Sequence, residues 1–307
     1  MIDSPKPLIT IIVLTYNSGE TVLETLNSIK TQNYRNIELI ITDDQSCDKT
    51  IEICNNWLKI NGNRFVNSKV ITSDKNTGVT ANCNRGIKAV NGEWVKLIAG
   101  DDILVDNCIG RNYETAFCNP EADIFFSDMI GFNTNKNVKQ EKLLKPFFFE
   151  TWNNDMSAEL QYKVLLKSFV GNAPTFFIKS EIFKNIGFDE TIPFMDDYPF
   201  ALNATKMGYR FYYFDEITVY YRNGNSITNS LKHFYTNFYL KEEKFRRIFI
   251  YPNVPPIIRN YYKYEFYRKR ILDCCGLNNV NFFTRIINKL TILMNPFAKR
   301  FRNSQVF

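Results

Sequence analysis

The 307-residue sequence lacks several patterns that identify common nucleotide-binding or metal-binding proteins. There is no G-x-G-x-x-G after the first predicted strand and no G-x-x-x-x-G-K-[ST] anywhere, so the dinucleotide and P-loop fingerprints are missing. The seven cysteines are odd in number and include no C-x-x-C pair, which argues against a disulfide framework and a zinc site. The sequence therefore indicates reduced thiols, and a bound nucleotide would need a metal ion on its phosphates rather than a glycine cradle.

Long apolar runs are also absent. No stretch of about 18 apolar residues occurs, so no transmembrane helix is expected. No signal-peptide pattern precedes the first strand, and we expect a cytoplasmic protein. Apolar residues nevertheless make up 45% of the chain and aromatic residues 15%, which allows a sizeable core and argues against disorder.

Acidic residues are scarce in the last quarter of the chain. Residues 231–307 contain 15 Lys and Arg but 4 Asp and Glu, whereas residues 1–230 contain 23 and 28. The net charge of +6 therefore combines a weakly acidic larger part with a strongly basic end. We place a domain boundary at residue 230.

Apolar, largely β-branched stretches alternate with amphipathic segments along the first hundred residues. Val22, Leu26 and Ile29 have the spacing of one buried helix face, and Asn17 is predicted to cap that helix. The alternation predicts an α/β protein with a doubly wound, mostly parallel sheet. The predicted strands of this part, and two further ones, are 8–14, 37–41, 69–72, 94–99, 123–128 and 175–178.

Polar groups follow three of these strands where each strand ends. Tyr16 follows the first strand, Asp44 follows the second, and the fourth runs through Gly100 into Asp101 and Asp102. In a parallel sheet these ends share the edge at which ligands bind. Two adjacent carboxylates repel each other, and carboxylate oxygens suit hard divalent ions. We expect a divalent cation with a diphosphate at this edge, rather than a plain polar turn.

Successive motifs of this sequence resemble those of the family 2 glycosyltransferases with the GT-A fold, and their order and spacing match over residues 7–230. The motifs are Val13-Leu14-Thr15-Tyr16-Asn17, Thr42-Asp43-Asp44-Gln45-Ser46-Cys47-Asp48, Asn76-Thr77-Gly78, Asn84-Arg85-Gly86, Gly100-Asp101-Asp102, Gly187-Phe188-Asp189-Glu190, Met195-Asp196-Asp197-Tyr198-Pro199-Phe200 and Tyr220-Tyr221-Arg222.

The resemblance implies a Rossmann-like GT-A catalytic domain over residues 1–230. Its nucleotide-binding half would span 1–105 and its acceptor half 106–230, and a helical basic region would follow over 231–307. The implied reaction moves a sugar from a nucleotide-sugar donor, with a UDP-sugar preferred, to a saccharide acceptor. A role in bacterial surface-polysaccharide synthesis, with a lipid-linked acceptor, is implied by the resemblance alone.

The resemblance also assigns the donor side residue by residue. It implies that Tyr16 stacks on the nucleotide base and that Asp44 accepts a hydrogen bond from the imide N–H of that base. Asp102 would bind a Mn²⁺ or Mg²⁺ ion that bridges the diphosphate, and Asp101 would bind the ribose or support the metal. The same motifs supply the remaining nucleotide-binding candidates: Thr15, Asn17 and Asn84.

The acceptor side is expected to provide the catalytic base. The resemblance gives this role to Asp197, with Asp196 as the alternative because the motif reads Asp-Asp. A helix is predicted from Asp196 to residue 207, and its N-terminal dipole favours ionised carboxylates. Gly171 and Asn172 are predicted to form an acceptor-binding loop, since the nearby Gly and Pro fix the backbone. The expected reaction is a direct displacement with inversion at the anomeric carbon.

Three departures from the family pattern affect these expectations. Leu14 stands where the family often has Pro, and Cys83 stands where it often has Arg, so one phosphate or sugar contact is lost. Some members carry a metal-reaching His shortly after the Tyr-Arg element, where this chain has Asn223. The single histidine, His233, lies further on and is expected at the surface or in the core.

The basic end mixes apolar residues with cations. Residues 259–270 interleave Tyr and Phe with Arg and Lys, and Pro296 would end or kink a later helix. We expect these helices either to make peripheral contact with the inner face of the cell membrane or to pack on the catalytic domain. No nucleic-acid-binding motif is found, so no nucleic-acid partner is expected. The later helix has apolar residues at helical spacing with no acid among them: Ile286, Leu290, Leu293 and Phe297.

Two alternatives to a glycosyltransferase remain open from the sequence. A nucleotidyltransferase that makes nucleotide sugars would also have an α/β sheet with metal-binding acids. The loop after the first strand, residues 15–20, lacks the basic residues that such an enzyme would carry there. A non-catalytic, saccharide-binding relative is favoured by Cys83, but Asp44, Asp101, Asp102 and Asp197 are all present.

Overall fold

A computed structural model describes residues 6–133, 142–146, 152–169, 171–192, 196–223 and 237–298. Residues 134–141 and 147–151, His233 and the predicted boundary at residue 230 lie outside the described residues. Contacts divide the chain into two compact units, Met1–Gly224 and Asn225–Phe307.

The described part of the first unit contains one nine-stranded sheet. Its strands are short and buried, in keeping with their apolar, β-branched sequences. They are β1 (Ile9–Thr15), β2 (Ile37–Asp43), β3 (Asn67–Thr72), β4 (Trp94–Ala99), β5 (Ile103–Leu104), β6 (Ile124–Phe132), β7 (Lys142–Leu144), β8 (Phe177–Lys179) and β9 (Phe211–Arg222).

The strand order is β3-β2-β1-β4-β8-β6-β9-β5, and β7 pairs with β6. Strands β3, β2, β1 and β4 are parallel, β8 is antiparallel to both β4 and β6, and β6 is parallel to β9. Trp94 of β4 stacks on Phe177 of β8 with ring centroids 4.9 Å apart, which ties the parallel half to the second half. The expected α/β fold with a doubly wound, mostly parallel sheet is confirmed.

Helices cover both faces of this sheet. The helices of the first unit are α1 (Val22–Lys30), α2 (Thr50–Asn61), α3 (Val79–Ile87), α4 (Cys108–Cys118), α5 (Ala158–Leu165) and α6 (Asp197–Lys206). Val22, Leu26 and Ile29 of α1 are fully buried in the core that also contains Ile11, as predicted. On the opposite face Gly86 of α3 lies against Ile12, where a Cβ atom would be 2.6 Å from a methyl group.

Two local predictions were wrong. Asn17 does not cap α1, because the chain makes a left-handed turn there (φ 49°) and the helix starts only after Thr21. The predicted strand at 175–178 is shorter and later, since Pro174 lies in a 3₁₀ turn that Thr175 and Phe176 close through their backbone amides. Only β8 remains of that strand.

The described part of the second unit, residues 237–298, is helical, as expected. Its helices are α7 (Asn237–Phe245), α8 (Pro256–Cys274) and α9 (Phe282–Leu293). Arg268 of α8 donates hydrogen bonds to Asn288 and Thr291 of α9, and Asn295 just beyond α9 donates one to Glu265. The polar side of α9 therefore faces α8. Pro296 lies beyond the end of α9.

Candidate active site

The ends of three parallel strands lie side by side at one edge of the sheet. In the strand register Thr15 pairs with Asp43, and Leu14 pairs with Ala99. The segments that follow β1, β2 and β4 therefore start next to one another. The structure thus brings together Tyr16, Asn17, Asp44, Asp101 and Asp102, although it does not test their predicted roles.

The turn after β1 is held by the turn after β2. The Asn17 side-chain oxygen accepts a hydrogen bond from the Cys47 amide at 2.8 Å, and the Asn17 amide donates to the Ser46 hydroxyl at 2.8 Å. The Thr15 hydroxyl donates to Asp43 at 2.8 Å. These bonds fix a backbone from which the Tyr16 ring is 50% exposed. An aromatic ring held on a fixed backbone at this edge can stack on a planar base.

Asp44 fastens the end of β2 to the loop before α3. Its carboxylate accepts hydrogen bonds from the amides of Thr77 (2.9 Å) and Gly78 (2.6 Å) and from the Thr77 hydroxyl, and it forms an ion pair with Arg85 at 3.2 Å. Burial would raise the pKa of Asp44, but these hydrogen bonds outweigh it and hold the pKa below its usual value. The carboxylate is ionised and already well satisfied, so its predicted contact with a base would share or replace one of these bonds.

The turn that contains Asp101 and Asp102 is held by hydrogen bonds from two segments: α1 with its preceding loop, and the end of β9. The Thr21 hydroxyl of the loop before α1 donates to the Gly100 carbonyl at 2.8 Å, and the Thr25 hydroxyl of α1 donates to the Asp102 carbonyl at 2.7 Å. From the end of β9, the Arg222 amide donates to the Asp102 carboxylate at 2.9 Å. The position of the paired acids is therefore set by α1 and β9 together.

Arg222 is the residue that closes this turn. Its guanidinium donates to the Asp101 carbonyl at 2.7 Å, pairs with Glu24 at 2.6 Å and lies over the Phe132 ring at 4.6 Å. The guanidinium therefore bonds to the backbone of the acidic turn rather than neutralising its carboxylates. From the sequence, Arg222 was identified as part of the Tyr-Arg element, but no role was predicted for it.

The two carboxyl groups of this turn are adjacent and largely buried, and the nearby cations Arg222 and Lys96 compensate their negative charge only in part. Burial, and then the neighbouring Asp101, raise the pKa of Asp102 to about 7, although Arg222 and Lys96 oppose the rise. Burial also raises the pKa of Asp101. A divalent cation would relieve this repulsion, so the chemistry of the pair fits a metal ion.

The protein offers few other ligands for such an ion. Across the described ranges no group of three or more His, Cys, Asp and Glu side chains has the geometry of a metal site. Magnesium-like ions are commonly held by one or two carboxylates together with substrate phosphates. The pair Asp101 and Asp102 fits a metal that binds with the substrate diphosphate, and not a closed structural site.

Asn84 of α3 braces the segment after residue 187. Its amide nitrogen donates to the Phe188 carbonyl at 2.9 Å and to Glu190 at 2.7 Å, and its oxygen accepts from the Phe188 amide at 2.9 Å. The side chain thereby links α3 to the segment after residue 187, two regions that were predicted from the sequence to lie in different halves of the domain. Its predicted role in nucleotide binding stays a prediction.

The acidic pair of the acceptor half begins α6. Asp196 is the N-cap residue and Asp197 is the first residue of the helix, as predicted, and the Asp197 carboxylate accepts a hydrogen bond from the Tyr198 amide at 2.8 Å. Burial, and then the neighbouring Asp196, raise the pKa of Asp197 to about 7. A carboxylate with such a pKa is suited to accept a proton near neutral pH.

Cys83 gives this region no positive charge. The side chain is 1% exposed, and burial, together with the nearby charge of Asp196, raises its pKa well above the usual value. The thiol is therefore neutral and lies within electrostatic range of the acidic pair. The cation closest in sequence, Arg85, bonds to Asp44 instead.

Gly171 and Asn172 form part of a tightly held turn. Gly171 has φ 151°, and a Cβ atom there would be 3.1 Å from the Phe176 ring. The Asn172 amide group donates to the carbonyls of Ser127 (3.1 Å) and Leu144 (3.0 Å). The turn therefore has a rigid base, and its predicted contact with an acceptor stays a prediction.

The glycosyl transferase family 2 model matches residues 10–187. This is more than half of the chain and includes the acidic turn and the end of β1. The chain belongs to glycosyltransferase family 2. It is a glycosyltransferase with the GT-A fold, and this assignment favours glycosyl transfer over the two alternatives that the sequence left open.

Several bacterial and archaeal glycosyltransferases are similar to this chain over most of its length. GlyG of Streptococcus pneumoniae is 27% identical over 72% of this chain and 72% of its own. The WfaP protein of Escherichia coli, named as a UDP-glucose:α-GlcNAc-diphosphoundecaprenol β-1,3-glucosyltransferase, is 28% identical over 70% of this chain and 77% of its own. An uncharacterised glycosyltransferase of Methanocaldococcus jannaschii is 24% identical over 73% of each chain.

Solved structures support the same fold. Staphylococcus aureus TarS 1–349 in complex with UDP-GlcNAc has a TM-score of 0.59 at 20% identity, covering 85% of this chain and 72% of that one. The mannosyltransferase PcManGT of Pyrobaculum calidifontis, in complex with GDP-mannose and Mn²⁺, has a TM-score of 0.53 at 16% identity, covering 87% of this chain and 65% of that one.

Proposed function

We propose that this glycosyltransferase is metal-dependent and inverting, and that it moves a sugar from a UDP-sugar to a saccharide acceptor. The observation that carries the proposal is the largely buried Asp101–Asp102 pair at the same sheet edge as the exposed Tyr16 ring. This arrangement fits a base, a ribose and a metal-bound diphosphate along one edge of the sheet. WfaP, whose name includes UDP-glucose, and the TarS structure in complex with UDP-GlcNAc make UDP the first nucleotide to test.

On the donor side each residue has a distinct task. Tyr16 stacks on the base and Asp44 orders the base-side loop and accepts the imide N–H. Asp101 takes the ribose or supports the metal, and Asp102 holds a Mn²⁺ or Mg²⁺ ion. When bound, this ion stabilises the negative charge that develops on the departing diphosphate. Thr15, Asn17 and Asn84 keep the surrounding segments in place through the hydrogen bonds described above.

On the acceptor side Asp197 is the proposed base. Its carboxylate removes the proton from an acceptor hydroxyl while the hydroxyl oxygen forms a bond to the anomeric carbon. The bond from that carbon to the diphosphate oxygen breaks on the opposite side, so the product has inverted configuration. Asp196 raises the pKa of Asp197 and thereby keeps the base strong enough to act near neutral pH.

We further propose a lipid-linked saccharide as the acceptor, in polysaccharide synthesis at the inner face of the cell membrane. The name of WfaP includes such an acceptor. Among the described residues no helix is long and apolar enough to cross a bilayer. The proposed contact with the membrane is peripheral and uses the C-terminal basic region, whose cations are attracted to anionic lipid.

Helix α9 is the part of that region best suited to a membrane interface. Its polar side faces α8, and it contains two exposed cations, Arg285 and Lys289, and no acid. Exposed apolar side chains next to cations favour an interface that contains anionic lipid. The apolar side chains that α9 and the next residue leave exposed are Phe282 (83%), Phe283 (64%), Ile286 (43%), Leu290 (56%), Ile292 (40%), Leu293 (77%) and Met294 (72%).

A donor and product assay tests the catalytic proposal. The wild type is incubated with UDP-, GDP- and dTDP-sugars, Mn²⁺ and an α-GlcNAc-diphospholipid, and the product anomer is read by NMR. Asp197→Asn should reduce kcat by about 10²–10⁴ while UDP binding is kept. Asp155→Asn, an exposed control, should act like the wild type. A product with retained configuration, or full activity of Asp197→Asn, would reject the proposed mechanism.

A further inference from the structure

Lys96 is a fully buried lysine in the middle of the central strand β4. Its side chain is 0% exposed, and its two strand neighbours in the register are Ile11 and Phe177. Burial lowers the pKa of Lys96 to about 8, and the proximity of Cys108 and Asp102 limits that fall. The ammonium is therefore still charged at neutral pH.

A buried charge of this kind is a poor way to stabilise a sheet. Removing an ammonium from water costs several kcal/mol, and well-packed apolar residues of similar volume are often as stable or more so. The contacts of the ammonium therefore indicate a function that an apolar side chain would not serve.

These contacts are made to the turn of the acceptor half. The Lys96 ammonium donates hydrogen bonds to the Pro174 carbonyl at 2.7 Å and to the Phe176 carbonyl at 3.4 Å. The two carbonyls belong to the turn that Gly171 and Asn172 begin, which we call the 171–176 turn. A cation beside the carbonyls at the end of a helical turn is favourable.

The same turn is held from β6 by Thr175. The Thr175 hydroxyl accepts from the Ser127 amide at 3.0 Å and lies 2.7 Å from the Asn172 carbonyl, to which it donates. Lys96 thus joins β4 to this turn through two hydrogen bonds from its side chain. Asp101 lies five residues after Lys96, in the turn that follows β4.

We propose that Lys96 is a positioning residue that fixes the 171–176 turn relative to the strand carrying Asp101 and Asp102, and so aligns the acceptor with the donor. The proposal rests on the proposed function for its catalytic consequence. Its structural part, the anchoring of the turn by the ammonium, stands without that function.

Hydrogen exchange and binding measurements on the full chain test this proposal. Lys96→Met keeps the length of the side chain and removes the charge. We expect the Thr175 and Phe176 amides to exchange at least about tenfold faster, because opening of the turn becomes easier. The Kd for UDP with Mn²⁺ should stay within about twofold. The kcat/KM for an α-GlcNAc-diphospholipid should fall by about 10–100-fold, as expected for a misplaced reactant.

Lys69→Met is the matched control. Lys69 lies on β3 and its ammonium also donates to a backbone carbonyl, that of Ala89, at 3.1 Å. This variant should leave both the exchange of the 171–176 turn and the acceptor kcat/KM at wild-type values. Lys69 is half-buried, so this variant reports the effect of removing a lysine–carbonyl bond from another strand of the sheet.

The possible results separate this inference from the proposed function. Unchanged exchange at Thr175 and Phe176 in folded Lys96→Met, or equal losses of UDP binding and acceptor use, would overturn the inference. A wild type that binds no UDP would reject the proposed function, while the exchange data would still decide on the anchoring. If Lys96→Met does not fold, Thr175→Val serves instead. This substitution removes the hydroxyl that accepts the hydrogen bond from Ser127 of β6, and it should reduce acceptor kcat/KM without changing UDP binding. An unchanged acceptor kcat/KM in Thr175→Val would contradict the inference.

Discussion

At the scale of single residues, the raised pKa of Asp197 predicts the pH dependence of the reaction. The carboxyl group must be ionised to accept a proton, and its pKa is about 7. The acceptor kcat/KM should therefore rise about tenfold per pH unit from pH 5 to about 7 and then level off. An unshifted aspartate would give a level profile above pH 5. Initial rates at saturating donor and Mn²⁺, from pH 5 to 9, distinguish the two.

The charge of buried Asp102 should lower the stability of the metal-free protein, although the proposed metal site needs that charge. Because its pKa is raised to about 7, the folded state binds this proton more tightly than the unfolded state does. Stability from protonated Asp102 is therefore lost as the pH rises through about 7. Without metal, Asp102→Asn should be more stable than the wild type by about 1–3 kcal/mol at pH 8, and by less at pH 5.

Urea denaturation in EDTA at the two pH values measures this difference. Asp155→Asn, at an exposed position, is the control and should change stability little at either pH. A less stable Asp102→Asn at pH 8 would show that the carboxylate is compensated in the metal-free protein, against the argument for a cation.

At the scale of helices and strands, Gly86 shows why α3 lies close to the sheet. A Cβ atom there would be 2.6 Å from an Ile12 methyl group and 3.2 Å from a Thr42 methyl group. Gly86→Ala should therefore push α3 outwards and lower the free energy of unfolding by about 1–3 kcal/mol. Gly62→Ala is the control, because Gly62 has helical dihedral angles and meets only the Ser68 side chain. Thermal unfolding of both variants measures the difference, and equal Tm values would contradict this packing argument.

Much of the parallel half of the sheet could be predicted from the sequence. The strand that becomes β4 was predicted at its observed bounds, and the buried face of α1 was correct, because apolar periodicity reports burial directly. The start of α1 and the 3₁₀ turn at Pro174 were missed, because they depend on hydrogen bonds within turns. Such bonds leave little trace in hydrophobic periodicity.

The site could be predicted in part for the same reason. Tyr16, Asp44 and Asp102 follow three parallel strands whose ends lie side by side, so the predicted sheet already brings these residues to one edge. The family motifs contain the same three residues. Lys96 and Arg222 were not assigned a role, since their partners lie in segments distant in sequence. Lys96 bonds to the backbone carbonyls of the 171–176 turn, and Arg222 contacts the Asp101–Asp102 turn and Glu24. A lysine within an otherwise apolar strand was the one available signal, and it was visible in Trp94-Val95-Lys96-Leu97.

At the scale of the whole molecule, the basic region predicts binding to anionic membranes. The full chain should bind vesicles containing about 30% phosphatidylglycerol and should bind phosphatidylcholine vesicles much more weakly, with a clear dependence on salt. The double change Ile286→Ser and Leu290→Ser should weaken binding by more than about tenfold, because both side chains are exposed on the apolar side of α9. Vesicle sedimentation measures this.

Phe117→Ser is the control for the vesicle experiment. Phe117 lies on α4 of the first unit and is 73% exposed, so it tests whether any exposed aromatic residue contributes. It should bind vesicles as the wild type does. Equal binding of the α9 double variant and the wild type would exclude α9 as the contact.

We propose above all that the Asp101–Asp102 pair holds a metal ion for a nucleoside diphosphate. The most direct test is calorimetric titration of UDP into the wild type and into Asp102→Asn, each with Mn²⁺ and with EDTA. We expect the wild type to bind UDP at least about tenfold more tightly with Mn²⁺ than with EDTA. Mn²⁺ should not change the UDP affinity of Asp102→Asn. Equal UDP affinity in all four titrations, or Mn²⁺-enhanced binding that survives Asp102→Asn, would contradict it.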